Sequence, residues 1–360
     1  MLSSSLMIPT TEEIADCLRH FLGRAGRLQS VMPAAGGFSR SQVLQVNTSQ
    51  GMYSLKSSPL DQLSPDRLKA RAAWLTALHD AALPVPVPVR RQDNGTLTLV
   101  QQNLFWQCSP WLPGEPVRLP LQNAAQRDAI FMTVARLHLA SEQFAARPEN
   151  VAFRNPVGPV PAIQERLRIL HAWTPSRLQA ASNALSRAPS AFSQPAIQIL
   201  NNFIAWSGPV QSELQSLASE LVPLQMCWRD LHEAHVLLTG DQVTGLIDPD
   251  AARIDHFTTD LSRLLGGMFG DDHAGWQAAL ACYETLHPLT TVDRKMLLAL
   301  DHSSTLLSGM TWIERWQAGE IPHDDIPRIA PRLERWAMRG ASLAGAKGFH
   351  LNLRTTRFET

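Results

Sequence analysis

The chain has 360 residues, 44% hydrophobic and 18% charged, enough to build two lobes with a sizeable core. Lys+Arg and Asp+Glu are equal at 32 each, so no global field points to nucleic acid or another polyanion. The cysteines (Cys17, Cys108, Cys227, Cys282) lack metal or disulfide spacing and read as thiols of a cytoplasmic protein, while the absence of a signal-peptide pattern or a bilayer-length apolar run speaks against a membrane.

Thr10 and Glu13 predict a capping box. Behind them Ile14, Cys17, Leu18, Phe21 and Leu22 share one helical face, and Gly23 is a stop. Gly36 and Gly37, with Ser39 close behind, sit between two expected strands. The second of these strands ends in Met52-Tyr53-Ser54-Leu55-Lys56. Ser64-Pro65-Asp66 starts a helix with a stripe of Leu68, Ala72, Leu75, Leu78 and Ala82. Asp93-Asn94-Gly95 predicts a hairpin turn into a strand from Thr96 to Val100, and a second extended run follows through Trp106 and Trp111.

A long helix is expected from Asn123 to Phe144, with His138 as a core histidine. Residues 146–162 read as a loop, and two helical patterns follow from about Ile163 and about Pro195. Residues 225–265 carry the chemistry. Two apolar arms around Gly240-Asp241 predict a β-hairpin. Asp230 and His235 lie at its entry and Asp248 and Asp250 at its exit. A hairpin folds its outer ends together, so an oxygen-rich cluster with one imidazole is expected there, suited to a hard divalent cation. Asp260 falls at the start of the next helix. Late in the chain, Trp312 and Trp316 read as core, and the acidic pairs Asp271-Asp272 and Asp324-Asp325 as helix caps.

Trp228-Arg229-Asp230, His235 and Ile247-Asp248-Pro249-Asp250 resemble the catalytic core of the aminoglycoside phosphotransferase and choline kinase family. That family carries His-Gly-Asp-x-x-x-x-Asn, a hairpin and Ile-Asp-x-Asp. The resemblance implies an α+β, two-lobed protein-kinase-like fold. A small antiparallel-sheet lobe over residues 1–112 would bind nucleotide, and a larger, mainly helical lobe over 113–360 would hold the catalytic and acceptor residues. It implies ATP and Mg²⁺ as cofactors and a small-molecule hydroxyl as acceptor, such as an amino alcohol, a sugar or an aminoglycoside-like compound. Asp230 would be the base. Asp248, with His235 and Asp250, would hold the metal. Lys56 would pair with the phosphates beneath a loop containing Gly36, Gly37 and Ser39. The backbone near Gln107 and Ser109 would read adenine, and Asp260 would brace the catalytic loop.

The chain departs from the family pattern at three places. Trp228 stands where the motif has histidine, and His235 where it has asparagine. The helix after Lys56 has Arg71 near the place where kinases keep a glutamate. A kinase-fold protein that binds a nucleotide or metabolite with little or no transfer is therefore a second reading. A metal-dependent hydrolase using His232, His235 and Asp248 is a third; a loop-to-strand segment does not hold residues three apart on one face.

Overall fold

In a computed structural model, which describes residues 9–34, 41–147 and 157–343, the chain opens with helix α1 (Thr11–Leu22). The Thr10 side chain accepts from the Glu13 N–H, and the Glu13 carboxylate accepts from the Thr10 N–H at 2.7 Å, so the capping box forms. Ile14, Cys17, Leu18, Phe21 and Leu22 are all buried, as their spacing predicts. Gly23 ends the helix at φ 67°.

Strands β1 (Leu28–Pro33), β2 (Gln42–Thr48) and β3 (Gly51–Pro59) follow, then helix α2 (Pro65–Asp80) and strands β4 (Leu99–Gln101) and β5 (Leu104–Pro110). The strands form an antiparallel sheet in the order β1-β2-β3-β5-β4. Leu44, Val46, Leu55, Trp106 and Cys108 line one face and pack with the buried stripe of α1. Side chains alternate along a strand, so Val43, Lys56 and Gln107, in direct register, occupy the other face. Two expectations shift here. The strand after Asp93-Asn94-Gly95 begins at Leu99, because the Asn94 side chain accepts from the Thr96 N–H at 3.0 Å and prolongs the turn. The hairpin itself turns at Gln102 and Asn103, both at positive φ. Ala82, expected on the α2 stripe, lies beyond the helix at φ 59° and is exposed.

The chain divides into two compact units. The first comprises Met1–Arg118 and Ala234–Pro249, and the second Leu119–Glu233 and Asp250–Thr360. Strand β6 (Glu115–Pro116) closes the first stretch of the first unit. The second unit begins with helix α3 (Ala124–Ala145), strand β7 (Val157–Gly158) and helices α4 (Pro161–Ala172), α5 (Pro175–Leu185) and α6 (Ser190–Leu217). Three helices thus form where two patterns were expected; Thr174 caps α5 by accepting from the Arg177 N–H at 3.4 Å, with Pro175 in the first turn. Strands β8 (Val222–Pro223) and β9 (Gln225–Cys227) come next.

The expected hairpin then forms as β10 (Val236–Thr239) and β11 (Gln242–Leu246), turning at Gly240, φ 61°. It belongs to the first unit because β10 pairs with β6 and the Leu246 N–H donates to the Pro84 carbonyl at 2.8 Å. Gly114 permits this pairing. It sits at φ 105°, and a Cβ there would lie 2.4 Å from Thr244 Oγ1 and 2.8 Å from the Leu238 carbonyl oxygen. Strand β12 (Arg253–Asp255) and helices α7 (Thr258–Phe269), α8 (His273–Tyr283), α9 (Thr291–Gln317) and α10 (Ile326–Ser342) complete the second unit. The expected α+β architecture is therefore realised: an antiparallel-sheet N-terminal part and a helical remainder. No described helix is long and apolar enough to cross a membrane. All four cysteines are free thiols.

Candidate active site

In the first unit the ends of the hairpin converge. The Ile247 N–H donates to the His235 carbonyl at 2.9 Å, extending the ladder by one step. This brings His235 Nε2 to 3.7 Å from Asp248 Oδ2. Lys56 Nζ, reaching from β3, lies 3.1 Å from Asp248 Oδ1. Asp248 adopts φ 58°, a left-handed conformation that aspartate tolerates better than most residues other than glycine. Lys56 is largely covered, at 18% exposure, whereas Asp248 keeps 45% of its side chain in solvent.

Gln107 lies directly across from Lys56 on β5, and Ser109 across from Ser54, so both share the Lys56 face. The Gln107 side-chain carbonyl accepts from Arg71 Nη2 at 3.4 Å, and Arg71 is buried in α2. Gly36, Gly37 and Ser39 lie outside the described residues.

In the second unit, the loop after β9 carries Trp228, Arg229 and Asp230. Trp228 is fully buried. Asp260, also fully buried near the start of α7, accepts from the Trp228 N–H at 2.7 Å and from the Arg229 N–H at 2.5 Å. A carboxylate taking two backbone donors fixes the loop immediately before Asp230. Arg229 itself stands at φ 67°. Its guanidinium bridges Glu165 Oε2 at 2.5 Å and Asp255 Oδ2 at 3.0 Å. Burial works against the Glu165 charge, yet Arg229 and then Arg253 hold its carboxyl below the usual range. Burial pushes the Asp255 carboxyl up, and Arg229 opposes that shift.

Asp230 Oδ1 accepts from Arg263 Nε at 3.2 Å, and the Asp230 side chain is 47% exposed. Asp230 and His232 present ligand atoms within 4.8 Å of each other. Asp250 occupies a short 3-10 turn, Pro249–Ala251, and is half-buried.

Beneath this loop lies a buried aromatic and imidazole cluster. His138 Nδ1 meets the Tyr283 hydroxyl at 2.7 Å, and His138 Nε2 lies 3.5 Å from Asp260 Oδ2. His138 is thus buried in the core, as its sequence context implies, bonded at Nδ1 while Nε2 makes no hydrogen bond among the described residues. His256 Nδ1 meets Thr258 Oγ1 at 2.7 Å, and its Nε2 lies 3.4 Å from Asp293 Oδ1. Burial pushes His256 down to about 4; Asp293 opposes this, and His138 and His287 reinforce it.

The chain is recognised by its sequence as well as its geometry. The family model described as the phosphotransferase enzyme family matches residues 30–289. The chain belongs to this phosphotransferase family. A homoserine kinase from Polaromonas naphthalenivorans (strain CJ2) is 26% identical over 312 residues, covering 83% of this chain and 85% of that protein. Among phosphotransferases of known structure, a microcompartment-associated aminopropanol kinase superposes with a TM-score of 0.60 at 17% identity, over 94% of this chain and 97% of that one. Amicoumacin kinase hAmiN in complex with AMP-PNP, Ca²⁺ and Ami gives 0.58 at 14% identity, covering 87% and 93%. Spectinomycin phosphotransferase in complex with ADP and spectinomycin gives 0.57 at 13%, covering 91% and 99%. At these identities the structures establish the protein-kinase-like fold of the family.

Several residues of this phosphotransferase's loop were not singled out from sequence. Arg263 is an unremarkable helical arginine until folding sets it against Asp230. Glu165, which holds Arg229, lies 64 residues from it and nothing local marks it, while Asp255, 26 residues away, reads from sequence as a cap or turn residue and instead pairs with Arg229. The arginines of α10 did carry a signal: Arg328, Arg332 and Arg335 repeat at helical spacing.

Proposed function

We propose that this phosphotransferase moves the γ-phosphoryl group of ATP to a hydroxyl of a small molecule, with residues 1–112 binding nucleotide and 113–360 supplying catalytic and acceptor groups. The observation that carries this reading is the pairing of Lys56 with Asp248, a strand lysine and a post-hairpin carboxylate 3.1 Å apart. Lys56 steadies the phosphates, with the segment of Gly36, Gly37 and Ser39 and the strand positions Gln107 and Ser109 completing the nucleotide contacts. Asp230 orients the acceptor hydroxyl and takes its proton as the oxygen–phosphorus bond forms and ADP leaves. Arg263 fixes the Asp230 carboxylate, and Asp260 braces the loop.

The donor chemistry fits Mg²⁺. Asp248 offers a half-exposed carboxylate, the hard oxygen ligand that Mg²⁺ combines with water and phosphate oxygens. His235 and Asp250 are proposed as further contacts, although imidazole is the softer donor. When bound, Mg²⁺ would neutralise charge on the transferring phosphates. The acceptor class comprises amino alcohols, sugars and aminoglycoside-like compounds, and the relatives' names add homoserine and aminopropanol. A cytoplasmic location is part of the same proposal, and the free thiols support it.

A second reading, nucleotide binding with slow or absent transfer, draws on Arg71, which occupies α2 where a lysine-anchoring glutamate is usual and bonds Gln107 instead. The test is calorimetric binding of ADP with Mg²⁺ to the wild type and to Asp248→Ala, followed by ATP turnover against a panel of alcohols. Binding with turnover supports transfer, binding without turnover supports the second reading, and no binding removes both.

A further inference from the structure

Around the catalytic loop of the second unit, cationic groups gather from two helices. Arg263 of α7 bonds Asp230 at 3.2 Å. One turn later in α7, Gly267 packs against the same loop: a Cβ there would lie 2.7 Å from Glu233 Oε2 and 3.8 Å from the His232 Cβ. Glu233 Oε1 in turn lies 3.7 Å from Arg335 Nη1 of α10. Arg328, Arg332 and Arg335 stand at i, i+4 and i+7, so they form one stripe, and Glu334 falls off it. Arg328 bonds Asp325 at 3.3 Å. Arg332 is exposed as a residue, yet partial burial of its guanidinium first, then the charges of Arg335 and Arg328, hold it below the usual arginine range; Glu233 opposes and Arg263 adds to the shift.

Arg263 and Arg335 thus meet acidic groups of the loop that carries Asp230, and Arg332 and Arg328 continue the positive stripe from Arg335 along α10. Like charges on one helix face repel, and a bound anion that joins the carboxylates already beside them adds to their compensation. A guanidinium also matches a carboxylate in shape, offering paired donors to paired oxygens. An acceptor without a carboxylate leaves this paired-donor match unused.

We propose that Arg332 and Arg335 bind a carboxylate of the acceptor, so that the substrate is a hydroxy acid or hydroxy amino acid rather than an amino alcohol or an aminoglycoside-like amine. This rests on the phosphotransfer reading for its placement beside Asp230, and on the arginine stripe for its chemistry. The specificity would be set by charge, with Arg263 holding Asp230 ready beside the bound acid.

The experiment measures binding of glycerate, serine and homoserine, each against its own amide, and of aminopropanol, by calorimetry with and without AMP-PNP and Mg²⁺. Acids are expected to bind on the order of tenfold more tightly than their amides, the value of one charge-assisted contact. Arg332→Gln and Arg335→Gln should each remove most of that preference while leaving ADP affinity unchanged, and Arg332→Glu should turn it towards aminopropanol. Equal affinity for acids and amides, a preference for the amine in the wild type, or an acid preference untouched by both glutamine variants would overturn the proposal. Failure of AMP-PNP to bind would remove the phosphotransfer reading, while the acid–amide comparison made without nucleotide still decides this one.

Discussion

Lys56 Nζ and Asp248 Oδ1 meet at 3.1 Å across 192 residues of chain, and the two side chains differ in exposure, 18% against 45%. A pair this open to water contributes at most about 1 kcal/mol to folding. Lys56→Met should therefore move a urea midpoint very little. The same substitution should weaken ADP–Mg²⁺ binding on the order of tenfold or more, because charge-assisted phosphate contacts are the stronger kind. A large loss of stability with normal nucleotide affinity would show a structural pair instead.

Asp260 behaves differently. It is fully buried and accepts two backbone N–H groups, from Trp228 and Arg229. Asp260→Asn turns one acceptor into a donor facing a donor. The expected cost is roughly 3 kcal/mol, the penalty for breaking a buried charge-assisted set. Equilibrium denaturation measures it. The Asp230 loop should loosen too, seen as faster amide exchange at Trp228 and Arg229.

Arg229 holds an unfavourable backbone conformation, φ 67°, with its guanidinium between Glu165 and Asp255. Arg229→Ala leaves the fully buried Asp255 without this counter-charge and should destabilise by about 3 kcal/mol or more. Arg229→Lys should recover only part of that, since an ammonium cannot bridge two carboxylates in the same way. Combining Arg229→Ala with Asp255→Asn should cost less than Arg229→Ala alone. Strict additivity of the two single substitutions would mean that the ion pair is energetically idle.

The buried His256 makes stability depend on pH. Its folded value, about 4, lies below the ordinary 6.5, so the unfolded chain takes up the proton first as the solution is acidified. Its contribution is fully present above about pH 6.5, falls between there and pH 4, and levels off below, on the order of 3 kcal/mol in all. His302 acts in the opposite sense: burial lowers its value, but the bond to Glu213 together with the charges of Glu213 and Asp301 raises it. The informative measurement is thus the difference between wild type and His256→Gln. Unfolding free energies from pH 7 to pH 4 should fall less steeply in the variant, and parallel curves would exclude His256 as the source.

Features with a local cause could be read in the sequence. The α1 stripe and its capping box need only neighbouring residues, and both form as expected. The hairpin needs only its turn and its arms, and it delivers His235 to Asp248. Asp272 was read as a cap and accepts from the Ala274 and Gly275 N–H groups at 3.1 Å. Features with a distant cause could not be read. The clamp on Arg229 joins α4, the Asp230 loop and β12, and the contact of Arg263 with Asp230 depends on how α7 packs. The start of β4 moved because one asparagine side chain competed for the backbone, an effect that strand propensity does not register. Trp312 and Trp316 read as core in the sequence, but both are only half-buried: the Trp316 ring lies tilted against Phe192 at 4.9 Å, while Glu314 beside it pairs with Arg177 at 2.5 Å.

The membership of Ala234–Pro249 in the first unit has a consequence for biosynthesis. When Arg118 has left the ribosome, the Val117 N–H and the Pro84 carbonyl still await Val236 and Leu246, which are translated more than a hundred codons later. The amino-terminal sheet can assemble early, but β6 stays an open edge until the hairpin arrives. A fragment ending at residue 118 would retain that edge permanently, so truncation there yields an incomplete body rather than an independent module.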